Sequence, residues 1–212
     1  MMLQAHQLSC ARGDRSLFNG LSFEIKPGEA LWVSGSNGSG KTSLLRLLCG
    51  LTQPEEGTVS WNGRNIRTLR EDFHRDLLYV GHAAAVKDDL TAWENVAMVS
   101  RLSGQPCSQG DALEALDQVG LLSKAGLPTR ALSQGQRKRV ALARLALKPT
   151  PKLTVLDEPF NALDQTSIHR LSDTLNQHMA SGGMVVYTTH QPQSLRPSRL
   201  HQLDLNQASS SC

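Results

Sequence analysis

The first eighty residues alternate short apolar runs with glycine-containing turns. Runs at residues 3–8, 21–25, 30–34, 58–61 and 77–80 are bounded by polar or turn residues and predict strands. A glycine-rich segment follows residue 34, and from Lys41 the spacing changes: Leu44, Leu45, Leu47 and Leu48 suit one buried helix over 41–49. A glycine loop therefore joins a strand to a helix. Strand signals then fade between Thr91 and Leu147, where apolar residues three and four apart predict helices over 92–102, 111–119 and 133–147. That stretch reads as a helical insertion spanning about 83–147. Strands return at 153–156 and 185–188 with a helix over 165–179 between them, the pattern of a parallel crossover. The reading is one α/β domain over 1–205 and a polar, frayed tail over 206–212.

Composition narrows the class. With 212 residues and 39% hydrophobic, the chain is neither disordered, collagenous nor a polytopic membrane protein. A net charge of +3 is too small to mark a nucleic-acid surface, so no nucleic-acid partner is expected. The apolar run 140–147 is interrupted by Arg144 and falls far short of the roughly twenty residues that span a bilayer. The start, Met-Met-Leu-Gln-Ala-His, has neither a basic nor an apolar segment, so a cytoplasmic chain is expected. Cys10, Cys49, Cys107 and Cys212 form no CxxC pair and no zinc spacing, and are read as reduced thiols.

Three motifs carry chemistry. Gly35-Ser36-Asn37-Gly38-Ser39-Gly40-Lys41-Thr42 fits GxxxxGK[ST], whose backbone N–H groups converge on phosphate oxygens while the next helix presents its positive end. Lys41 is expected to reach the β and γ phosphates, the Thr42 hydroxyl to ligate Mg²⁺, and Ser43 to belong to the same nucleotide-binding set. The run 153–156 ends in Asp157 and Glu158, two acids at the carboxyl edge of a buried strand. Asp157 suits the metal; Glu158 suits orienting or deprotonating an attacking water. Leu132-Ser133-Gln134-Gly135-Gln136 opens a helix, so Ser133, Gly135 and Gln136 form either a second anion site, which makes sense if two copies sandwich each nucleotide head to tail, or a plain capping box.

Together these residues resemble the ATP-binding cassette (ABC) superfamily over nearly the whole chain. The resemblance implies a P-loop NTPase fold with an antiparallel β subdomain and an inserted helical subdomain, ATP and Mg²⁺ as ligands, and a homodimer of ATPase subunits. It also implies that Asn161-Ala162-Leu163-Asp164 communicates across that dimer and that His190 contacts the γ-phosphate as a catalytic residue. His82 stands where most members have a glutamine linking the magnesium site to the helical insertion, and is assigned that coupling role. Gln134 replaces the usual glycine, and Arg12 the aromatic that stacks on adenine; its guanidinium either stacks instead or lies solvated in its loop.

Within the superfamily, Gly81-His82, the stretch from Lys87 to Asn95, Asp157-Glu158-Pro159-Phe160 and Thr188-Thr189-His190-Gln191-Pro192 resemble the bacterial cytochrome c maturation ATPases, also called haem exporter ATP-binding proteins. That resemblance implies a subunit peripheral to the inner membrane on its cytoplasmic face, bound through a polytopic membrane partner. The insertion, with Val86, Leu90 and Trp93, either meets that partner or packs its own small core. Other readings are the ATPase of another small exporter, a soluble cassette ATPase acting on ribosomes or DNA, and a small P-loop kinase. The last two normally carry a second cassette or a long coiled-coil insertion, or lack residues 132–136.

Overall fold

The computed structural model describes residues 1–190 and 193–208. In chain order the strands and helices are β1 (Leu3–Arg12), β2 (Arg15–Ile25), β3 (Ala30–Ser34), α1 (Lys41–Leu48), β4 (Glu56–Trp61), β5 (Arg64–Asn65), α2 (Ile66–Leu69), α3 (Glu71–Asp76), β6 (Leu77–Val80), α4 (Ala92–Leu102), α5 (Gln109–Gln118), α6 (Gln134–Leu142), β7 (Leu153–Leu156), α7 (Gln165–Ala180), β8 (Met184–Thr188), β9 (Leu200–Asp204) and α8 (Leu205–Ala208).

Two sheets result. The amino-terminal one is antiparallel in the order β2-β1-β4-β5, with Leu3 opposite both Ile25 and Trp61. The other is parallel in the order β6-β7-β8-β3-β9. Every residue of β7 and β8 is buried, as expected of strands covered on both faces. On one face Leu44 and Leu48 of α1 pack with Leu3, Phe18, Val155 and Val186, which joins the antiparallel sheet to the parallel one. On the other face Leu171 and Leu175 of α7 meet Leu142 and Tyr187. The strand–helix–strand unit β7-α7-β8 forms as expected, with Leu153 beside Met184.

The insertion has its own core of Val96, Ala112, Leu116, Leu121 and Val140. Val86 and Trp93, both partly buried, pack against it, and Val86 also lines the cleft beside Gln134 and Glu158. Side-chain caps start α4 (Thr91 with Glu94), α5 (Ser108 with Asp111) and α6 (Ser133 with Gln136). The expected helix over 133–147 instead stops at Leu142 and tightens into a 3-10 turn, Ala143–Ala146. The three helices α2, α3 and α8, the short strand β5 and the edge strand β9 lie outside the predicted elements. α3 has a single buried anchor, Phe73, and β9 is partly solvated along its length, so neither carries a strong apolar period.

The tail expectation over 206–212 needs correcting at its start: residues 206–208 belong to α8, which begins at the fully buried Leu205, and Asn206 reaches the glycine loop. Cys10, Cys49 and Cys107 are free thiols, and burial pushes the Cys49 thiol up. Gln191, Pro192 and Cys212 lie outside the described residues. No helix among the described residues is long and apolar enough to cross a membrane.

Candidate nucleotide site

The loop Gly35–Gly40 connects the carboxyl end of β3 to the start of α1. Gly35, at φ +146°, is pressed against Ser39, whose hydroxyl would lie 2.5 Å from an added Cβ. The cap of α1 is Gly40 at φ +99°, with no side-chain acceptor, so the first-turn N–H groups stay directed into the loop. Ser39 Oγ is buried and has no hydrogen-bond partner among the described residues. Lys41 is buried, and its Nζ donates to the carbonyls of Gly35 (2.7 Å) and Ser36 (2.9 Å). Ser36 donates from both its N–H and its hydroxyl to Asn206 Oδ1, at 3.0 and 2.9 Å. Ser36, Asn37 and Gly38 are exposed along the lip.

β7, separated from β3 by β8, ends level with this loop and delivers the two acids to it. Asp157 is 2% exposed; its carboxylate accepts from the Thr42 hydroxyl at 2.8 Å and from the Thr188 hydroxyl at 2.9 Å. The donor set fits a hard cation: a carboxylate and a hydroxyl at the edge of a phosphate loop are what Mg²⁺ uses when substrate oxygens supply the rest. Glu158 follows at φ +49°, a conformation costly for a residue with a Cβ. Its N–H is held by Thr188 Oγ1 at 2.8 Å, which fixes that turn. The Glu158 carboxylate meets His190 Nε2 at 3.1 Å and accepts from the Asn161 amide. So the structure brings Thr42, Asp157, Glu158 and His190 together.

A cleft of ≈ 360 Å³ over the loop is lined by Arg12, Lys41, Thr42, Ser43, His82 and Glu158, among others. Arg12 and His82 thus both stand on its wall. A second cleft, ≈ 400 Å³, shares His82 and Glu158 and continues past Gln134, Lys138 and Ala162. Ser133, Gly135 and Gln136 line neither. Ser133 Oγ accepts from Gln136 N–H at 3.3 Å and Gln136 Oε1 from Ser133 N–H at 3.0 Å, so the capping box forms. Within one chain these residues are not brought to the phosphate loop. Gly135 has another constraint: an added Cβ would lie 2.3 Å from the carbonyl oxygen of Ala162, itself at φ +62°. Asp164, at the end of that loop, caps α7 by accepting from Ser167 N–H at 2.8 Å.

Sequence reasoning passed over Lys138, Asn206 and the bridging part played by Thr188. Lys138 is buried, donates to the Asp157 carbonyl at 3.3 Å, and is held below the ordinary lysine range by desolvation, opposed by the Asp157 and Glu158 charges. Its signal was available: Lys138 shares a helix face with Ala141 and Leu142, both buried. Asn206 left no such trace.

A glycine loop between parallel strand and helix, an acid pair on the next strand but one of the same sheet, an antiparallel sheet ahead and a helical insertion between make up the nucleotide-binding unit of an ATP-binding cassette protein. The model of the ABC transporter family matches residues 18–161. A putative ABC transporter ATP-binding protein from Pyrococcus furiosus superposes with a TM-score of 0.84 at 23% identity, covering 99% of this chain and 100% of that one. A dimeric bacterial ABC transporter cassette gives 0.83 at 27%, covering 96% and 94%. The cytochrome c biogenesis ATP-binding export protein CcmA of Nitrosomonas europaea is 48% identical over 97% of this chain and 96% of its own length. That of Aromatoleum aromaticum is 52% identical over 90% and 89%. The Escherichia coli K12 protein of the same name is 44% identical over 97% of each. The chain belongs to the CcmA family of ABC transporter ATP-binding proteins.

Proposed function

We propose that this chain is the ATPase subunit of a membrane complex that drives cytochrome c maturation, supporting haem export or release of a haem-loaded chaperone. The observation that carries the hydrolytic part is the hydrogen-bond chain Thr42–Asp157–Thr188–Glu158, which ties the phosphate loop to the acid pair. The cytochrome c part is supported by the relatives' names over nearly the full length.

In this reading the N–H groups of Gly35 to Gly40 cradle the phosphates of ATP, with Ser36, Asn37 and Ser39 supplying hydroxyl or amide contacts and Ser43 reaching the α-phosphate side. Lys41 turns its ammonium from the Gly35 and Ser36 carbonyls to the β and γ phosphates. Thr42 and Asp157 would hold Mg²⁺, which neutralises charge on the phosphates when bound. Glu158 accepts a proton from, or aligns, the attacking water, while His190 steadies its carboxylate and faces the γ-phosphate. His82, shared by both clefts, relays the nucleotide state toward the insertion. Ser133, Gly135 and Gln136 sit apart from their own loop, and this supports a head-to-tail homodimer in which they complete the partner's site. The chain works at the cytoplasmic face of the inner membrane, peripheral through a polytopic subunit.

The test is Glu158→Gln as the host's only copy. Covalent c-type haem proteins disappear from a haem-stained gel while b-type cytochromes remain in the membrane spectrum. Normal c-type staining would sink the haem assignment in favour of another exporter. The same purified variant keeps ATP, loses turnover, and dimerises in light scattering more than the unmutated chain.

A further inference from the structure

Gly81 and His82 directly follow β6, and His82 is a side chain that both clefts at the nucleotide site share. It is exposed and makes no hydrogen bond or ion pair among the described residues. Its position is therefore set by the turn that carries it. The backbone fixes that turn from one side, where the Val80 carbonyl accepts from Asp157 N–H at 2.9 Å. The other support is a side chain, the half-buried Tyr79.

Side chains alternate along a strand, so Tyr79 and Gly81 face the same side of the sheet, the one covered by α1. Gly81 has no left-handed φ that would call for glycine. What excludes a side chain there is the Tyr79 ring: an added Cβ would lie 3.1 Å from the hydroxyl oxygen and 3.4 Å from two ring carbons. The ring thus rests against the Gly81 backbone. Burial, with the Asp157 charge behind it, pushes the phenol's pKa up, and the guanidinium of Arg46, which meets the hydroxyl, opposes that push.

Arg46 stands on α1 one helical turn after Thr42, on the same face, and Thr42 donates to Asp157 at 2.8 Å. The helix behind the phosphate loop thus touches the ends of two neighbouring strands, β7 through Thr42 and β6 through Arg46; these pair with Val80 beside Leu156. We infer that Tyr79 is a positioning residue for ATP hydrolysis: held by Arg46 and pressed against Gly81, it ties the turn that places His82 to the helix behind the phosphate loop. The inference rests on the proposed function and adds a residue to it. Tyr79 lines neither cleft, so it acts through His82.

The experiment measures kcat and KM for ATP in the full chain. Tyr79→Phe keeps the ring and removes the hydroxyl, Arg46→Ala removes the hydroxyl's partner at an exposed position, and Arg46→Lys keeps a donor there. In Tyr79→Phe and Arg46→Ala, kcat falls about fivefold or more while KM stays within about twofold and Tm holds; Arg46→Lys recovers most of the loss. Neither change costs anything further in a His82→Ala chain. Gly81→Ala also lowers kcat, and Gly81→Ala/Tyr79→Phe turns over as fast as Tyr79→Phe alone, because the atom nearest the new Cβ has gone; this suppression decides the point where His82→Ala is too slow to measure. Full kcat in Tyr79→Phe, Arg46→Ala or His82→Ala, losses that multiply with that of His82→Ala, or a raised KM at unchanged kcat overturns the inference and leaves the proposed function standing, with Tyr79 as core filling. Turnover retained in Glu158→Gln, run alongside, removes the reading of the site and the inference with it.

Discussion

Gly135→Ala separates two reasons for a glycine at that position. If its role were only to approach a nucleotide held by a second subunit, alanine in the first turn of α6 would leave an isolated chain as stable or slightly more so, by up to ~1 kcal/mol of helix propensity. The added Cβ, however, would lie 2.3 Å from the Ala162 carbonyl oxygen, inside the 3.0 Å that real Cβ atoms respect and well inside ordinary contact at 3.4 Å or more. One backbone segment has to move by about 1 Å, and overpacking of that kind costs about 1–3 kcal/mol. At the middle of these ranges clash outweighs propensity, leaving a net loss of about 1 kcal/mol, or roughly 2–4 °C in Tm for a domain of this size. The displaced loop carries Asn161, which donates to Glu158, so turnover falls further than stability alone requires. Melting of the dilute chain without nucleotide isolates the intrachain effect. An unchanged or raised Tm would refute the reasoning.

Lys41→Ala removes a charge facing the most negative part of the ligand and lowers ATP affinity about tenfold or more in calorimetry, since charge-assisted contacts contribute about 1.5–3 kcal/mol; unchanged affinity counts against the whole site. Lys138→Met removes the cation behind Asp157 and Glu158, and turnover drops about tenfold while Lys138→Arg keeps most of it; a fully active methionine variant makes Lys138 mere filling. Burial holds His178 below the ordinary histidine range, so the folded imidazole stays neutral where the unfolded one takes up a proton. Its contribution is whole above about pH 6.5 and is lost as pH falls below it, so Tm against pH slopes less steeply there in His178→Asn.

The phosphate loop and the acid pair were legible because each is local: glycine spacing and a four-residue apolar run ending in Asp157 and Glu158 survive without knowledge of the fold. The bounds of α4 and β7 came out residue for residue, since a capping residue or a fully buried run marks both ends. β9 and the Asn206 contact were invisible for the opposite reason. An edge strand with Leu200 exposed and His201 and Gln202 in the middle has no clean alternation, and a hydrogen bond between residues 170 apart leaves no pattern. Lys138 stands between Arg137 and Arg139 in a basic run, and only the apolar residues three and four positions on, Ala141 and Leu142, set it apart.

The strand that launches the phosphate loop sits between β8 and β9, so β3 gains its neighbours only when residues 184–188 and 200–204 exist. Asn206 then fastens Ser36. During synthesis, the antiparallel sheet can close early from residues near one another in the chain, but the mouth that takes nucleotide is assembled from both extremities of the polypeptide. Loss of residues 200–208 would therefore strip β3 of one neighbour and Ser36 of its Asn206 contact, loosening the mouth although every residue of the phosphate loop itself is kept.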